Sequence, residues 1–358
     1  MKKKELILIA DCDPRTKIVG GVGTYSYHLA KNLSKKINIL FLGKKQATKP
    51  IKKVNYTIKI ANNKENENNI KFFYALRKLS EKIKTTDNTI IHAQRPDWLV
   101  SFSKLKGKKI FTLHGSHFKN MQLKKGKLLQ TIYSKLEKKG FEIADKIISV
   151  DSQTTNEYKK KYPKYANKII TIPVGVDTKL FKSINQKKAR KELNLPIDKT
   201  IFLCISRLSK EKRIDEMIKN TGKDELLIVI GCGDEEKKLK HLASKSKSVI
   251  FLNAKPQTEL TKYYSAADAF LIFSTHEGLT TTALESWACG TPIVSTKVGD
   301  LQKIVNDKNG ILVQNEKFRE ALNKIKGKKQ KISKSCRETA IKYDWKKISE
   351  RIFDEAYQ

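Results

Sequence analysis

The sequence is poor in several things, and each shortage excludes a class of protein. Its 358 residues hold five cysteines (Cys12, Cys204, Cys232, Cys289 and Cys336), an odd number, widely scattered, with no CxxC or Cys/His spacing. That excludes a disulfide framework and a structural zinc site, and leads us to expect reduced thiols in a cytoplasmic protein. No apolar run reaches the ~18 residues of a membrane span. The basic start, Met1 to Glu5, precedes an apolar stretch, Leu6 to Ala10, that is too short for a signal peptide. Acids are also scarce, 37 against 74 basic residues, for a formal charge of +37. Such a charge attracts polyanions: nucleic acid, an anionic membrane surface or phosphorylated substrates. Only nine of the basic residues are arginine, however, and the lysines are spread along the whole chain. Nucleic-acid recognition draws on arginine's planar fork, so no specific nucleic acid is expected as a partner. A basic polyanion-binding α/β protein remains the alternative from another class.

The chain is long enough for two cores. Short apolar, β-branched runs alternate with longer amphipathic ones twice over. Strand candidates in the first half include Glu5–Ala10, Ile37–Leu42, Thr89–His92 and Lys109–Leu113. In the second they include Thr200–Ile205, Leu226–Ile230 and Ala269–Phe273. Solidly apolar strands of this kind are buried on both faces, as in parallel sheets. Helices are expected between them, for instance over Thr24–Lys36, Phe72–Lys84 and Thr280–Ala288. The pattern predicts two doubly wound α/β domains, residues 1–180 and 181–340, with 341–358 as a helix returning to the first. "NNKENENN", Asn62 to Asn69, reads as a polar loop. Ligands of such sheets bind beyond the strands' carboxyl ends, here in the cleft expected between the two sheets.

Chemically suggestive residues fall at those ends. In "KIVGGVGTYSYHLAKNL", Gly20, Gly21 and Gly23 form a loop feeding a helix, where backbone can approach an anion. "IFTLHGSH" puts His114 and Gly115 just past a strand, a place for a hydrogen-bonding or acid/base group. "FLCISRLSKEKRID" sets Arg207 and Lys212 after the first strand of the second sheet, two cations suited to a diphosphate. "LLIVIGCGDEEKKLKHL" gives another tight strand-to-helix turn through Gly231 and Gly233. Then "HEGLTTTALESWACGTPIVS" places Glu277 before a helix start near Thr280 or Thr281 and Glu285 inside the helix. Backbone N–H groups of Leu279 to Thr281 can hold a phosphate there. The two glutamates can then accept from hydroxyls on either side. A nucleoside diphosphate sugar has that layout: ribose diol, diphosphate, sugar hydroxyls.

Taken together these residues resemble the GT4-type glycosyltransferases of the GT-B fold. The stretch from His276 carries their E-x7-E signature, and "RLSKEK", "YYSAADAFLIFS", "KVGDLQKIVNDKNGILV", "IPVGVDTKLF", "FTLHG" and "IIHAQRPD" follow in family order. The resemblance implies two Rossmann-like domains and a retaining, metal-independent transfer of a hexose-type sugar from a nucleotide donor, UDP-sugar favoured, to an unidentified hydroxyl acceptor. No cofactor is implied. Arg207 and Lys212 would bind the diphosphate and stabilise its leaving charge. Glu277 would hold donor-sugar hydroxyls, Glu285 the ribose diol, and His114 would sit by the transferred sugar. Gly21, Gly231, Gly278, Leu279 and Thr280 would line the donor. A sugar-nucleotide epimerase shares the fold and is a further alternative. The chain departs from the family at Val174, Gln94 and Asp300, which bears on acceptor and sugar identity. Asp11-Cys12-Asp13 also matches the metal-binding DxD of GT-A enzymes, but a single-domain GT-A reading leaves the second sheet unexplained.

The stretch from His117 to Gly140 has seven lysines against one acid, Glu137, with Leu128, Leu129, Ile132 and Leu136 at helical spacing. It reads as a surface helix packed on the sheet by those apolar residues, or as a basic face that docks on anionic lipid. The resulting expectation is a cytoplasmic enzyme, peripheral on the inner face of the cell membrane, that acts on a lipid-linked or cell-surface glycan precursor.

Overall fold

Among the described residues the alternating pattern folds into thirteen parallel strands in two sheets. This computed structural model describes residues 4–16, 20–46, 50–51, 53–61, 69–115, 127–244 and 246–358, with 127–129 described in backbone alone. Residues 62–68 of the expected polar loop and 117–126 of the expected basic helix lie outside the described residues. The chain divides into two compact units, Met1–Val174 with Trp345–Gln358, and Gly175–Asp344.

In the first unit β1 (Glu5–Ile9), β2 (Asn38–Gly43), β3 (Thr57–Ile60), β4 (Thr89–Ala93), β5 (Lys108–Leu113), β6 (Lys146–Ser149) and β7 (Ile169–Thr171) run in the order 3-2-1-4-5-6-7. Leu6, Ile7 and Leu8 of β1 lie opposite Ile39, Leu40 and Phe41 on one side and Ile90, Ile91 and His92 on the other. Both faces are covered, chiefly by α1 (Gly21–Leu33), α2 (Asn69–Ser80), α3 (Pro96–Val100), α4 (Lys127–Ile143) and α5 (Ser152–Lys161), which is why the strands are apolar throughout.

Two helices differ from expectation. α1 begins at Gly21 instead of Thr24, so Gly21 and Gly23 are helical and only Gly20 precedes the helix as its N-cap. Glycine lowers helix propensity by about 1 kcal/mol; burial of Tyr25, Leu29, Ala30 and Leu33 offsets it. In α4 the buried residues are Tyr133, Glu137, Gly140 and Phe141, while Ile132 is 47% exposed. The Ile132 side of the predicted apolar face therefore points outward. The reason lies in Glu137, whose carboxylate is fully buried and accepts from Tyr158 Oη (3.1 Å), Tyr162 Oη (2.8 Å) and Lys161. Those partners satisfy the charge inside, leaving Lys135, Lys138 and Lys139 on the exposed side.

The first unit closes with α14 (Trp345–Ile352) and a π-helical turn, Phe353–Tyr357. Trp345 meets Tyr25 edge-on at 5.3 Å and stacks on His28 at 5.3 Å, both on α1. Tyr357 Oη lies 2.6 Å from Nδ1 of His92, whose Nε2 is 2.7 Å from Thr112 Oγ1. Burial, and then His114, pushes His92 down to about 3, so the ring is neutral in this network.

The second unit repeats the plan. β8 (Thr200–Ile205), β9 (Glu225–Ile230), β10 (Val249–Leu252), β11 (Ala269–Ile272), β12 (Ile293–Ser295) and β13 (Gly310–Leu312) take the order 10-9-8-11-12-13. The helices follow in chain order: α6 (Gln186–Glu192), α7 (Ile214–Lys219), α8 (Glu236–Ala243), α9 (Gln257–Ala266), α10 (Thr281–Ala288), α11 (Leu301–Ile304), α12 (Phe318–Ile325) and α13 (Lys329–Ile341). Phe202, Leu227, Val229, Leu271, Phe273 and Leu322 build its core. The break between units falls at Val174/Gly175 and again at Asp344/Trp345, where 180/181 and 340/341 were expected. The shift follows from Arg337, which donates to the carbonyls of Phe181 (2.8 Å) and Thr178 (2.9 Å), and from Val176 N–H donating to Tyr343 O at 2.9 Å. Residues 175–181 are thereby fastened to the second unit.

Candidate active site

In the second sheet the strand order reverses between β8 and β11, so the loops leaving those strands diverge and leave a crevice at their carboxyl ends. Arg207 and Lys212 leave β8; Glu277 to Thr280 leave β11. The loops are tied together by Thr275 N–H donating to Glu211 O at 2.9 Å.

Leu208, 1% exposed, anchors the first loop: its N–H donates to Cys232 O at 2.9 Å and its carbonyl accepts from Glu235 N–H at 3.0 Å. With Leu208 pulled in, neighbouring Arg207 is exposed. No carboxylate among the described residues forms an ion pair with it. Gly231 is required by this packing, since at φ +150° any Cβ would stand 1.9 Å from Ser206 O.

Lys212 ends a short 3-10 turn, Lys210–Lys212, and forms an ion pair with Glu277. The same glutamate Oε1 accepts from Ser274 Oγ at 2.8 Å. Both side chains of the pair are under one-fifth exposed, so it is partly shielded from water. Gly299 makes the turn possible: at φ +46° a Cβ would fall 2.0 Å from Glu277 O and 3.0 Å from Gly278 O. Its neighbour Asp300, noted as a departure, begins the turn into α11.

Thr280 is the N-cap of α10, its Oγ1 accepting from Ala283 N–H at 3.2 Å. Leu279 is buried just before it, and the N–H groups of the helix's first turn have no partner within the helix. Glu285 lies one turn further in and is only 4% exposed. Its Oε2 accepts from Tyr264 Oη (2.8 Å) and its Oε1 from Gln257 Nε2 (3.0 Å). Burial pushes this carboxyl up to about 7, and the two hydrogen bonds pull in the opposite direction.

In the first unit His114 follows β5, with Nε2 2.8 Å from Gln94 Oε1 and its ring edge-on to Tyr25 at 4.9 Å. Gln94 Nε2 is buried without a hydrogen-bond partner among the described residues. Gly21 opens α1, and a Cβ there would have nothing within 4 Å. Of the Asp11–Asp13 pair, Asp13 is engaged by Arg15, which donates to both of its oxygens at 3.0 and 2.8 Å. Among the described residues no three His, Cys, Asp or Glu side chains gather as metal ligands.

The second-unit residues singled out from sequence lie on the loops leaving β8, β9 and β11 and on one helix, α10, and Lys212 and Glu277 meet as an ion pair. Ser274, Gln257, Tyr264 and Gly299 were missed as site residues. "YYSAADAFLIFS" and "KVGD" did mark the stretches of Tyr264 and Gly299, but nothing local points to Gln257.

Known proteins place this arrangement. Residues 185–343 match the model described as glycosyl transferases group 1, and residues 19–180 match that of glycosyltransferase family 4. A D-inositol 3-phosphate glycosyltransferase of Acidothermus cellulolyticus is 30% identical over 48% of this chain and 44% of its own length. The chain spans about half the length of the curated relatives it matches. In fold it is similar to sucrose-phosphate synthase from Thermosynechococcus elongatus, with TM-score 0.82, 22% identity and coverage of 99% and 98%. It is also similar to Anabaena HepE in complex with UDP and glucose, with TM-score 0.75, 16% identity and coverage of 98% and 99%. The chain belongs to the GT4-type, group 1 glycosyltransferases of the GT-B fold.

Proposed function

We propose that this protein transfers a hexose-type sugar from a nucleoside diphosphate sugar to a hydroxyl acceptor, with retention of anomeric configuration and without a metal. The observation that carries the reading is the placing of Arg207, Lys212, Glu277 and the α10 N-terminus on the two loops that flank the β8/β11 reversal. In this reaction the bond from the anomeric carbon to the diphosphate oxygen breaks, and its electron pair goes to the diphosphate. The acceptor oxygen bonds the same carbon from the same face, and its proton leaves with the diphosphate. Arg207 and Lys212 neutralise the charge that develops on the leaving group, a fixed electrostatic contribution of about 3–4 kcal/mol for one such group. Lys212 is held by Glu277 beforehand, so donor binding exchanges a carboxylate partner for a phosphate one. Glu277 is then free for sugar hydroxyls. For His114 and Gly21 of the first unit the resemblance implies roles toward the sugar and the phosphate.

UDP is the favoured carrier, supported by the similarity to a structure that holds UDP and glucose. A thermal-shift panel of UDP, GDP, ADP and their sugars, with and without chelator, tests donor and metal independence together. Stabilisation by one nucleotide that survives chelator and vanishes in Arg207→Ala is expected; indifference to every nucleotide sinks the reading.

Membrane association is proposed as well, through 117–140. No described helix is long and apolar enough to cross a membrane. In the described part of the stretch Lys135, Lys138 and Lys139 are exposed and the one acid, Glu137, is buried. Co-sedimentation with anionic vesicles at low but not high salt is expected, and no binding at low salt refutes it.

A further inference from the structure

Gln257 and Tyr264 stand seven residues apart on α9, two turns, and so share one face of that helix. Both reach the same carboxylate on α10, one to each oxygen of Glu285. Tyr264 is core: fully buried, edge-on to Phe181 (6.0 Å) and Phe270 (5.4 Å), its carbonyl accepting from Thr291 Oγ1 at 2.6 Å. Gln257 is half-buried at the start of α9 and approaches from the side nearer water. No cation contacts Glu285 among the described residues. Its orientation therefore depends on two neutral donors, of which only Gln257 is replaceable without touching the core.

A carboxylate has about four lone-pair sites, and these two bonds use one on each oxygen. What is left is a narrow edge whose direction is fixed by the pair. We propose that Gln257 is a positioning residue for nucleoside selection: with Tyr264 it aims the remaining edge of Glu285 at a ribose 2′-hydroxyl, so that ribonucleotides are chosen over 2′-deoxyribonucleotides. This rests on the donor reading above, with Glu285 at the ribose diol as the resemblance implies, and goes beyond it by assigning a role to α9. The titratable groups facing Glu285 are the Tyr264 phenol and the Cys289 thiol just past α10, both raised by burial out of the neutral range. Glu285 alone titrates there, and only its anion offers every lone pair to a hydroxyl. Selection should therefore weaken as pH falls from 8 to 6.

Calorimetric titration of the full chain with UDP, ADP and GDP and their 2′-deoxy counterparts, at pH 8 and pH 6, tests this. A ratio of affinities cancels the ionisation of the phosphates. At pH 8 the ratio should favour the ribonucleotide by about tenfold or more, the loss expected for one hydrogen bond to a charged group. Gln257→Leu should bring that ratio close to one, and pH 6 should shrink it in the wild type. Gln257→Asn, with a shorter reach, should fall between. A ratio of one in the wild type, or the same ratio in Gln257→Leu, overturns the positioning role and leaves the donor reading standing. Failure of every nucleoside diphosphate to bind the wild type removes both.

Discussion

Two glutamates eight residues apart, Glu277 and Glu285, occupy opposite electrostatic settings. Glu277 has a lysine against it, a serine hydroxyl on the same oxygen, and a side chain open enough to be reached. Glu285 has two neutral donors, 4% exposure and, among the described residues, no cation against it. The first is a charge already balanced, and ligand binding can rearrange that balance. The second is a carboxyl whose ionisation the protein opposes and a ligand's hydroxyls would favour. Spacing on a helix decides which is which: one lies ahead of α10 on its loop, the other is carried inward by the first turn and a half.

The comparison can be broken most forcefully on the cationic side. Arg207→Ala should lower kcat/KM about 10²–10³-fold while leaving the unfolding midpoint nearly unchanged, since the side chain is exposed; steady-state transfer assays beside denaturation curves separate the two. Glu285→Gln attacks the other side with the opposite sign on stability. A carboxyl held at about 7 in the fold, above its ordinary 4.5, carries no penalty below about pH 4.5. The penalty grows through the interval and is complete above about 7, at about 3 kcal/mol. The variant should therefore be more stable than wild type at pH 8 and equal to it near pH 4.5, while binding nucleotide less well. Urea unfolding at the two pH values reads this, and greater loss of stability in the variant at pH 8 contradicts it.

Gly299→Ala sharpens the contrast without changing a charge. The left-handed backbone and the 2.0 Å approach to Glu277 O should cost about 1–3 kcal/mol. Activity should fall further than stability explains, because the Glu277 turn must shift. The smallest effect belongs to the ion pair. Glu277→Gln should change the ligand-free unfolding free energy by no more than about 1 kcal/mol, as partly exposed pairs do, while lowering transfer by far more. Stability loss exceeding activity loss would make the pair structural.

Much of this was legible in the sequence because it is local. Buried parallel strands announce themselves as apolar runs, and every expected strand formed within a residue or two. The cations and the glutamate pair sit at strand ends that the runs define. What escaped was set at a distance. Gln257 matters only because α9 packs beside α10, and the face of α4 turned on a bond between Glu137 and tyrosines on and just beyond α5. Gly299 answers to a carbonyl 22 positions earlier. The domain break moved because Arg337, near the end of α13, reaches back to residues 178 and 181.

The second unit is one unbroken length of chain, whereas the first is finished only by residues 345–358. The first sheet therefore lacks Trp345 for α1 and Tyr357 for His92 until the segment made after the whole second unit is in place. Loss of residues 345–358 would damage the part of the first unit that lies farthest from them in sequence.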